Sequence, residues 1–455
     1  MKKVLIVTPN WPPINCPDLH RVRTALPFFS EFGWEPLLLK VDPDQQEGMK
    51  DPALCRTVPA SAREWQAGCV PRGVLRCIGV RNVGLRSFFH LARAGDRVIR
   101  EESPSVVFFS TTMFPVMTLG RYWHRRRRLP YVLDFQDPWR KGEGKAKADR
   151  PGADTQGRSR RQGFKARWAD AVAGWLEPVA LRRAAHVVSV SPAYEAMLKR
   201  RYGWLNEDRF TVLPFGGAEN DYEVLRSSRI RQRVFDPGDG KRHWVYVGAV
   251  IPPMSTALRA LFQAFKRERG ERGEAMGKVR LHFVGTKYAP RERVWKMVEP
   301  LAHEAGLGDR VSETTDRLPY FEALQCLLDA EALLVPGSDD PGYTASKIFP
   351  CILARKPLLA VFREESSTVE ILRKTRAGTV VTFRPGEDPE AIAGRILATG
   401  WLAKPIVPAT DWAAFEPYTA RQMTRKLCAV FDQVTAEHGM AERRSDGDKR
   451  SLFAI

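Results

Sequence analysis

The residues best placed to do chemistry in this 455-residue sequence lie in the stretch 335–362, VPGSDDPGYTASKIFPCILARKPLLAVF. Residues 332–335 are an apolar run that reads as a short buried strand, and a turn rich in Gly, Pro, Ser and Asp follows. Thr344 or Ser346 is expected to cap a helix whose apolar face is Ile348, Phe349, Ile352 and Leu353. Arg355, Lys356 and Pro357 end that helix, and 358–362 supplies the next strand. The helix start then carries Ser346 and Lys347. Free N–H groups, the helix dipole and an ammonium converge there, which suits an anion such as phosphate. A solvated first-turn lysine would give the same local sequence.

Several other chemistries lack their signatures. The first apolar run is followed by Pro9-Asn10-Trp11-Pro12-Pro13 instead of GxGxxG, so the dinucleotide fingerprint is missing. There is no GxxxxGK[ST], no GxSxG and no HExxH. Seven cysteines, at 16, 55, 69, 77, 326, 351 and 428, include no CxxC pair and no zinc-type spacing with histidine. Reduced thiols of a cytoplasmic protein are expected, with no metal and no cofactor.

The elements that must position these residues follow from apolar periodicity. Strands are expected at 4–8, 35–41, 106–110, 131–135, 187–190 and 210–213, with helices near 18–32, 82–101, 116–128 and 164–183. Residues 43–82 read as loop with some helix, and the basic insert 141–163 has almost nothing to bury. A second series starts at His243, with strands at 244–247, 280–284, around 311, 332–335, 358–362 and 379–383. Its helices are expected at 256–266, 291–305, 320–330, 368–374 and 388–397, before a long amphipathic helix at 412–438 and a charged tail. Strands alternating with helices predict doubly wound parallel sheets, and the length predicts two such domains. Two tandem α/β domains are expected to hold ligands in a cleft at the carboxyl ends of their strands. The limits expected are 1–215, 216–410, a final helix 411–440 and a tail 441–455.

The net charge of +19 is uneven: residues 121–170 hold fifteen Lys/Arg against six Asp/Glu, a surplus of nine. A phosphate-rich partner fits such a surplus, whether an anionic membrane surface or a nucleotide; an arginine-favouring genome would also produce it. RYWHRRRR at 121–128, with Trp139, Trp168 and Trp175, suggests a patch resting on anionic lipid. The plainer reading is a solvated helix end with core tryptophans. No nucleic-acid-binding module is recognisable, and nucleic acid is not expected as a partner. The initial run of apolar residues is too short for a signal-peptide core.

Taken in order, these segments resemble the GT-B-fold glycosyltransferases of the large retaining family 4 type. The resemblance is carried by the N-terminal strand with its Pro-rich loop, Phe32-Gly33-Trp34-Glu35-Pro36, VLDFQDPW (132–139), VVSVSP (187–192) and TVLPFGGAEN (211–220). VYVGAV (245–250), LHFVGT (281–286), SKIFPCILARKPLLAV (346–361) and the final helix after Trp412, Phe415 and Tyr418 continue it. It implies a metal-independent, retaining transfer of a sugar from a nucleotide-diphosphate sugar to a hydroxyl of a glycan or lipid-linked saccharide. The C-terminal domain would bind the donor through Gly248, Ser255, Thr256, Gly285, Lys287, Ser346, Lys347 and Ile348. His20 and Arg21 would face the acceptor side, with Gln136 and Asp137 nearest the reaction. The positions where the family's Arg and Lys would stand are Ala249 and Met254, and its paired glutamates would fall near Gly342 and Pro350. Gln136 stands where the family carries a histidine.

Overall fold

The computed structural model describes residues 1–75, 82–140, 160–287, 295–340, 343 and 346–452; for 75, 160–167, 169, 274–275 and 441–452 it describes the backbone alone. The chain forms two units, one built from the residues up to Phe215 together with those from Ala420 onward, the other from Gly216–Thr419.

The first unit holds a parallel sheet of β1 (Lys2–Val7), β2 (Trp34–Val41), β3 (Arg63–Ala67), β4 (Val106–Ser110), β5 (Tyr131–Phe135), β6 (His186–Ser189) and β7 (Phe210–Val212). Their order is β3-β2-β1-β4-β5-β6-β7, so the chain reverses direction across the sheet between β1 and β4. Its helices are α1 (His20–Ala25), α2 (Arg72–Leu75), α3 (Val83–Glu102), α4 (Thr118–Arg127), α5 (Arg160–Leu181) and α6 (Pro192–Arg201).

The second unit repeats the plan. Its strands are β8 (Arg242–Val247), β9 (Val279–Val284), β10 (Val311–Thr314), β11 (Ala332–Pro336), β12 (Leu358–Arg363) and β13 (Thr379–Phe383), ordered β10-β9-β8-β11-β12-β13. Helices α7 (Glu219–Ser227), α8 (Ser255–Gly277), α9 (Val298–Glu304), α10 (Tyr320–Asp329) and α11 (Ile348–Leu353) belong to it. So do α12 (Ser367–Thr375), α13 (Pro389–Ala398) and α14 (Trp412–Phe415), whereas α15 (Ala420–Leu452) returns to the first unit.

A central parallel strand is covered on both faces, which is why β1 is apolar without alternation: Val4, Leu5, Ile6 and Val7 are all fully buried. Its pleat still sorts them. Leu5 and Val7 pack with Leu91 of α3, Trp123 of α4 and Ala180 of α5. Val4 and Ile6 face the opposite layer, with Val22 of α1 and Leu427 and Phe431 of α15. Phe431 sets its edge against Trp34 and Phe108, with ring centroids 5.3 and 5.4 Å away.

Several expectations need correcting. The stretch 43–82 contains β3, an edge strand whose REWQA sequence alternates in burial and so lacks the apolar run of a central strand. The expected helix 18–32 is two 3-10 segments around the six residues of α1, because Pro17 and Pro27 open the flanking turns. The expected helix 412–438 is broken at Glu416–Tyr418, where Pro417 interrupts it, and α15 then runs through part of the expected tail. Helix α5 starts at Arg160, inside the segment expected to be an insert, whose residues 141–159 lie outside the described chain. Helix α9 starts at Val298; residues 291–294 of the expected helix also lie outside it.

Candidate functional site

In a doubly wound sheet the loops leaving two neighbouring strands in opposite directions open a crevice at the strands' carboxyl ends. Here those points lie at β1/β4 in the first unit and β8/β11 in the second.

At the first, Asp18 is 1 % exposed and bridges both loops. Its carboxylate accepts from Asn10 Nδ2 at 3.0 and 3.1 Å, after β1. After β4 it accepts from the Thr112 backbone N–H at 3.1 Å and from the hydroxyls of Thr111 and Thr112 at 3.2 Å. One strand further on, Asp134 of β5 is fully buried, and its Oδ2 accepts from Arg21 Nε at 2.7 Å, Gln136 Nε2 at 2.8 Å and Ser110 Oγ at 2.9 Å. Its Oδ1 is buried with no hydrogen-bond partner among the described residues. Arg21 also donates to the carbonyls of Leu213 and Pro214 at 2.6 and 3.4 Å, and its guanidinium lies 4.9 Å from the Phe215 ring.

Arg21 therefore does not face outward as the sequence reading has it. Its side chain is 4 % exposed and ties β5 to the segment after β7. Gln136 is also buried, and its amide is shared among Asp134, Ser110 Oγ at 3.0 Å and the Asp18 carbonyl at 3.1 Å. Its amide, expected nearest the reaction, is thus already engaged within the protein. Asp137, on the bend that follows, is exposed. His20 is half-buried, and its Nδ1 accepts from Arg23 Nε at 3.2 Å, which leaves the proton on Nε2. Asp18, Asp134, Asn10, Ser110, Thr111 and Thr112 were not singled out from the sequence. Their partners lie as far as 118 residues away in the chain, so no local pattern marks them.

The second crevice is built differently. Gly248, just past β8, has φ +147°, where a side chain is strained, and a Cβ there would overlap Lys347 Cδ and Cε. The lysine's stem therefore lies across this glycine, with Nζ 3.1 Å from that Cβ position. Helix α8 opens at Ser255, half-buried, with no side chain capping its first turn; the 3-10 turn Pro252–Met254 leads into it, and the Ser255 N–H donates to the Pro252 carbonyl. Thr256 Oγ1 donates to Asp339 Oδ2 at 2.9 Å, and the Asp339 N–H donates to the Pro253 carbonyl at 2.7 Å, joining the β8 and β11 loops.

Gly285, with φ +69°, ends β9. Lys287 beyond it donates to the Val250 carbonyl at 3.5 Å and lies 5.2 Å from the Trp295 ring centroid. Burial lowers its pKa, with Glu313 pulling the other way.

Two expectations fail around Lys347. Ser346 does not cap α11 with its side chain; its carbonyl accepts from the Phe349 N–H at 3.3 Å. Thr344, the other expected cap, and Gly342 lie outside the described residues. Ile348 is 1 % exposed, so it packs and does not present itself to a ligand. With α11 only six residues long, positive charge here comes mainly from Lys347 and the start of α8. Among the described residues, no group of three or more His, Cys, Asp or Glu is placed to hold a metal ion.

Residues 31–216 match the model of the glycosyl transferase 4-like domain. No curated protein matches the chain. Among solved structures, a glycosyltransferase from Rickettsia africae superposes with a TM-score of 0.56 at 13% identity, covering 95% of this chain and 98% of its own. HepE of Anabaena, solved in complex with UDP-glucose, gives 0.53 at 14% identity and covers 98% of this chain and 100% of its own. Sucrose-phosphate synthase from Thermosynechococcus elongatus gives 0.51 at 14% identity, with the same coverage. These similarities establish the fold, and its two parallel doubly wound sheets are those expected from the sequence. Residues 31–216 therefore match a glycosyl transferase 4-like domain, and the chain as a whole has the GT-B fold of these solved structures.

Proposed function

We propose that this protein transfers a sugar from a nucleotide-diphosphate donor to a hydroxyl of a glycan or lipid-linked saccharide, with retention of anomeric configuration. The observation that carries the proposal is the Gly248–Lys347 corner at the β8/β11 switch point, beside the uncapped start of α8. Leaving-group departure builds negative charge on the diphosphate. The Lys347 ammonium, with the positive end of the α8 dipole beside it, would stabilise it, with no metal required. Gly248 lets the lysine approach the backbone, while Ser255 and Lys287 line the same edge of the sheet. On the acceptor side, Asp137, exposed on the bend after β5, would orient a hydroxyl. The buried Asp18–Asp134–Gln136–Arg21 network acts as the rigid support that fixes the loop carrying it. HepE, which has this fold, is described with bound UDP-glucose, and that supports a uridine or similar diphosphate donor here. Among the described residues no cysteine is in a disulfide, in keeping with a cytoplasmic site of action.

A second reading, binding without transfer, draws on one observation. Where the resemblance would place an Arg and a Lys stand Ala249 and Met254, both buried. Incubating the protein with UDP-, GDP- and ADP-sugars and a glycan acceptor panel separates the two. Release of nucleoside diphosphate that depends on acceptor supports transfer. Donor binding without release in any combination supports the second reading, and no binding at all removes both.

A further inference from the structure

The first sheet's face that receives Leu5 and Val7 is covered by α3, α4 and α5, which lie in one layer. The Trp123 ring of α4 sits against Gly95 of α3, and Tyr122 donates to Asp96 Oδ2 at 2.9 Å. Helix α5 turns Ala173, Glu177, Ala180 and Leu181 inward, at the spacing of one helical face. Its opposite face exposes Trp168 and Trp175 at 64 % and 69 %. Seven residues put these rings about 10 Å apart on nearly the same side. In the same layer, Phe89 of α3 is 82 % exposed and Leu85, one turn before it, is 41 % exposed. Three large aromatics thus face solvent from helices that already have a complete inner face, so the fold does not require them there. This corrects the plainer sequence reading of Trp168 and Trp175 as core residues; Trp139, by contrast, stacks on Phe114 with centroids 5.3 Å apart.

The charge on this layer has one dominant sign. Arg125, Arg126, Arg127 and Arg128 end α4, all exposed, and α4 contains no acidic residue. Arg182 and Arg183 leave α5 exposed, and α3 adds Arg93, Arg97 and Arg100 on its outer side. Acidic groups are fewer: Glu101 pairs with Arg97 at 2.8 Å and Asp170 is exposed on α5, whereas Glu177 is fully buried and accepts from Arg201 and Tyr202, both at 2.7 Å.

We propose that the outer face of α3, α4 and α5 is a docking surface for an anionic lipid bilayer. Trp and Phe rings enter the interfacial zone while guanidinium groups meet lipid phosphates, the pairing expected of a helix lying on a membrane. No helix among the described residues is long and apolar enough to cross a membrane, so the contact is peripheral. The face lies wholly in the first unit and stands independently of the transfer reaction.

The test is sedimentation of the full-length protein with sucrose-loaded vesicles, either phosphatidylcholine alone or phosphatidylcholine with phosphatidylglycerol. Binding at least tenfold tighter to the anionic vesicles is expected, weakening as salt rises. The triple variant Phe89→Ser, Trp168→Ser, Trp175→Ser should bind them at least tenfold more weakly, with an unchanged melting curve because all three sites are exposed. Replacing Arg125, Arg126, Arg127 and Arg128 by Gln should flatten the salt dependence. Equal, negligible binding to both vesicles overturns the proposal, as does undiminished binding by the triple variant. Two further outcomes also overturn it by assigning the face to another occupant: a dimer of the wild type that the triple variant loses, or tighter binding to single-stranded DNA lost through the same substitutions. Nucleotide-sugar titration of the same preparations keeps a failure here separate from a failure of the transfer reading.

Discussion

The carboxyl ends of the two sheets have the same topology and opposite character. At β1/β4, charge is buried and saturated: Asp18 and Asp134 together accept from seven side-chain and backbone groups, and Arg21 is almost wholly enclosed. At β8/β11 the corresponding edge has Lys347 laid over Gly248, a helix start with no side-chain cap, and Asp339 bonded to Thr256. The first edge has committed its polar groups to its own framework. The second sets a lysine and a helix start beside a glycine, which suits an anion. Which residues hold shape and which meet ligand is decided by burial more than by residue type, since both edges carry charged side chains at loop positions.

Substitutions that act on this contrast should separate stability from binding. Arg21→Ala leaves Asp134 buried and without its counter-ion, and about 3–5 kcal/mol of unfolding free energy should be lost, read from urea midpoints. Arg21→Lys should recover only part of this, because an ammonium cannot reach the carboxylate and two carbonyls in the same planar geometry.

Acid should act on the second unit through a different group. His243 Nδ1 and His282 Nε2 lie 2.9 Å apart, His243 Nε2 is 3.0 Å from Asp239, His282 Nδ1 is 2.8 Å from Ser312 Oγ, and Phe235 stacks on both rings. Burial first, then the neighbouring His243, pushes His282 from its ordinary 6.5 down to about 4, with Lys241 and Arg280 adding to the effect and Asp239 opposing it. Above pH 6.5 neither the folded nor the unfolded chain protonates this ring. As pH falls below 6.5 the unfolded chain takes the proton first, so stability falls until about pH 4, by roughly 3 kcal/mol in total. Chemical denaturation across that range measures it, and His282→Gln should remove most of the slope.

Gly248→Ala introduces strain at φ +147°, on the order of 1–3 kcal/mol, and displaces the flexible Lys347 stem. Its stability loss is therefore smaller than that of Arg21→Ala, yet donor binding should fall as far as in Lys347→Ala. Lys347→Ala itself should cost no more than about 1 kcal/mol of stability. A large stability loss here, with binding intact, would erase the distinction between the two edges.

Much of the fold was legible because buried parallel strands read as unbroken apolar runs; 106–110 and 131–135 were located to the residue. Strand β3 was not, because an edge strand carries polar residues on alternate positions. The anion corner was partly legible: Lys347 and Gly248 each stood out locally, but their contact spans about a hundred residues and no periodicity shows it. Asp134 was hidden by its own neighbours, since in VLDFQDPW it sits inside an apolar strand while Asp137 looks like the loop acid. Arg21 beside His20 looked like a cleft-facing pair until its carboxylate partner, distant in sequence, turned it inward.

Calorimetric titration of UDP-, GDP- and ADP-sugars into the wild type and into Lys347→Ala tests the second edge most directly. At least one of these donors should bind the wild type, and its affinity should fall at least tenfold in the variant while the melting curve stays in place. Equal affinity in the two proteins, or no binding of any donor to the wild type, would contradict the assignment of the Gly248–Lys347 corner to the donor diphosphate.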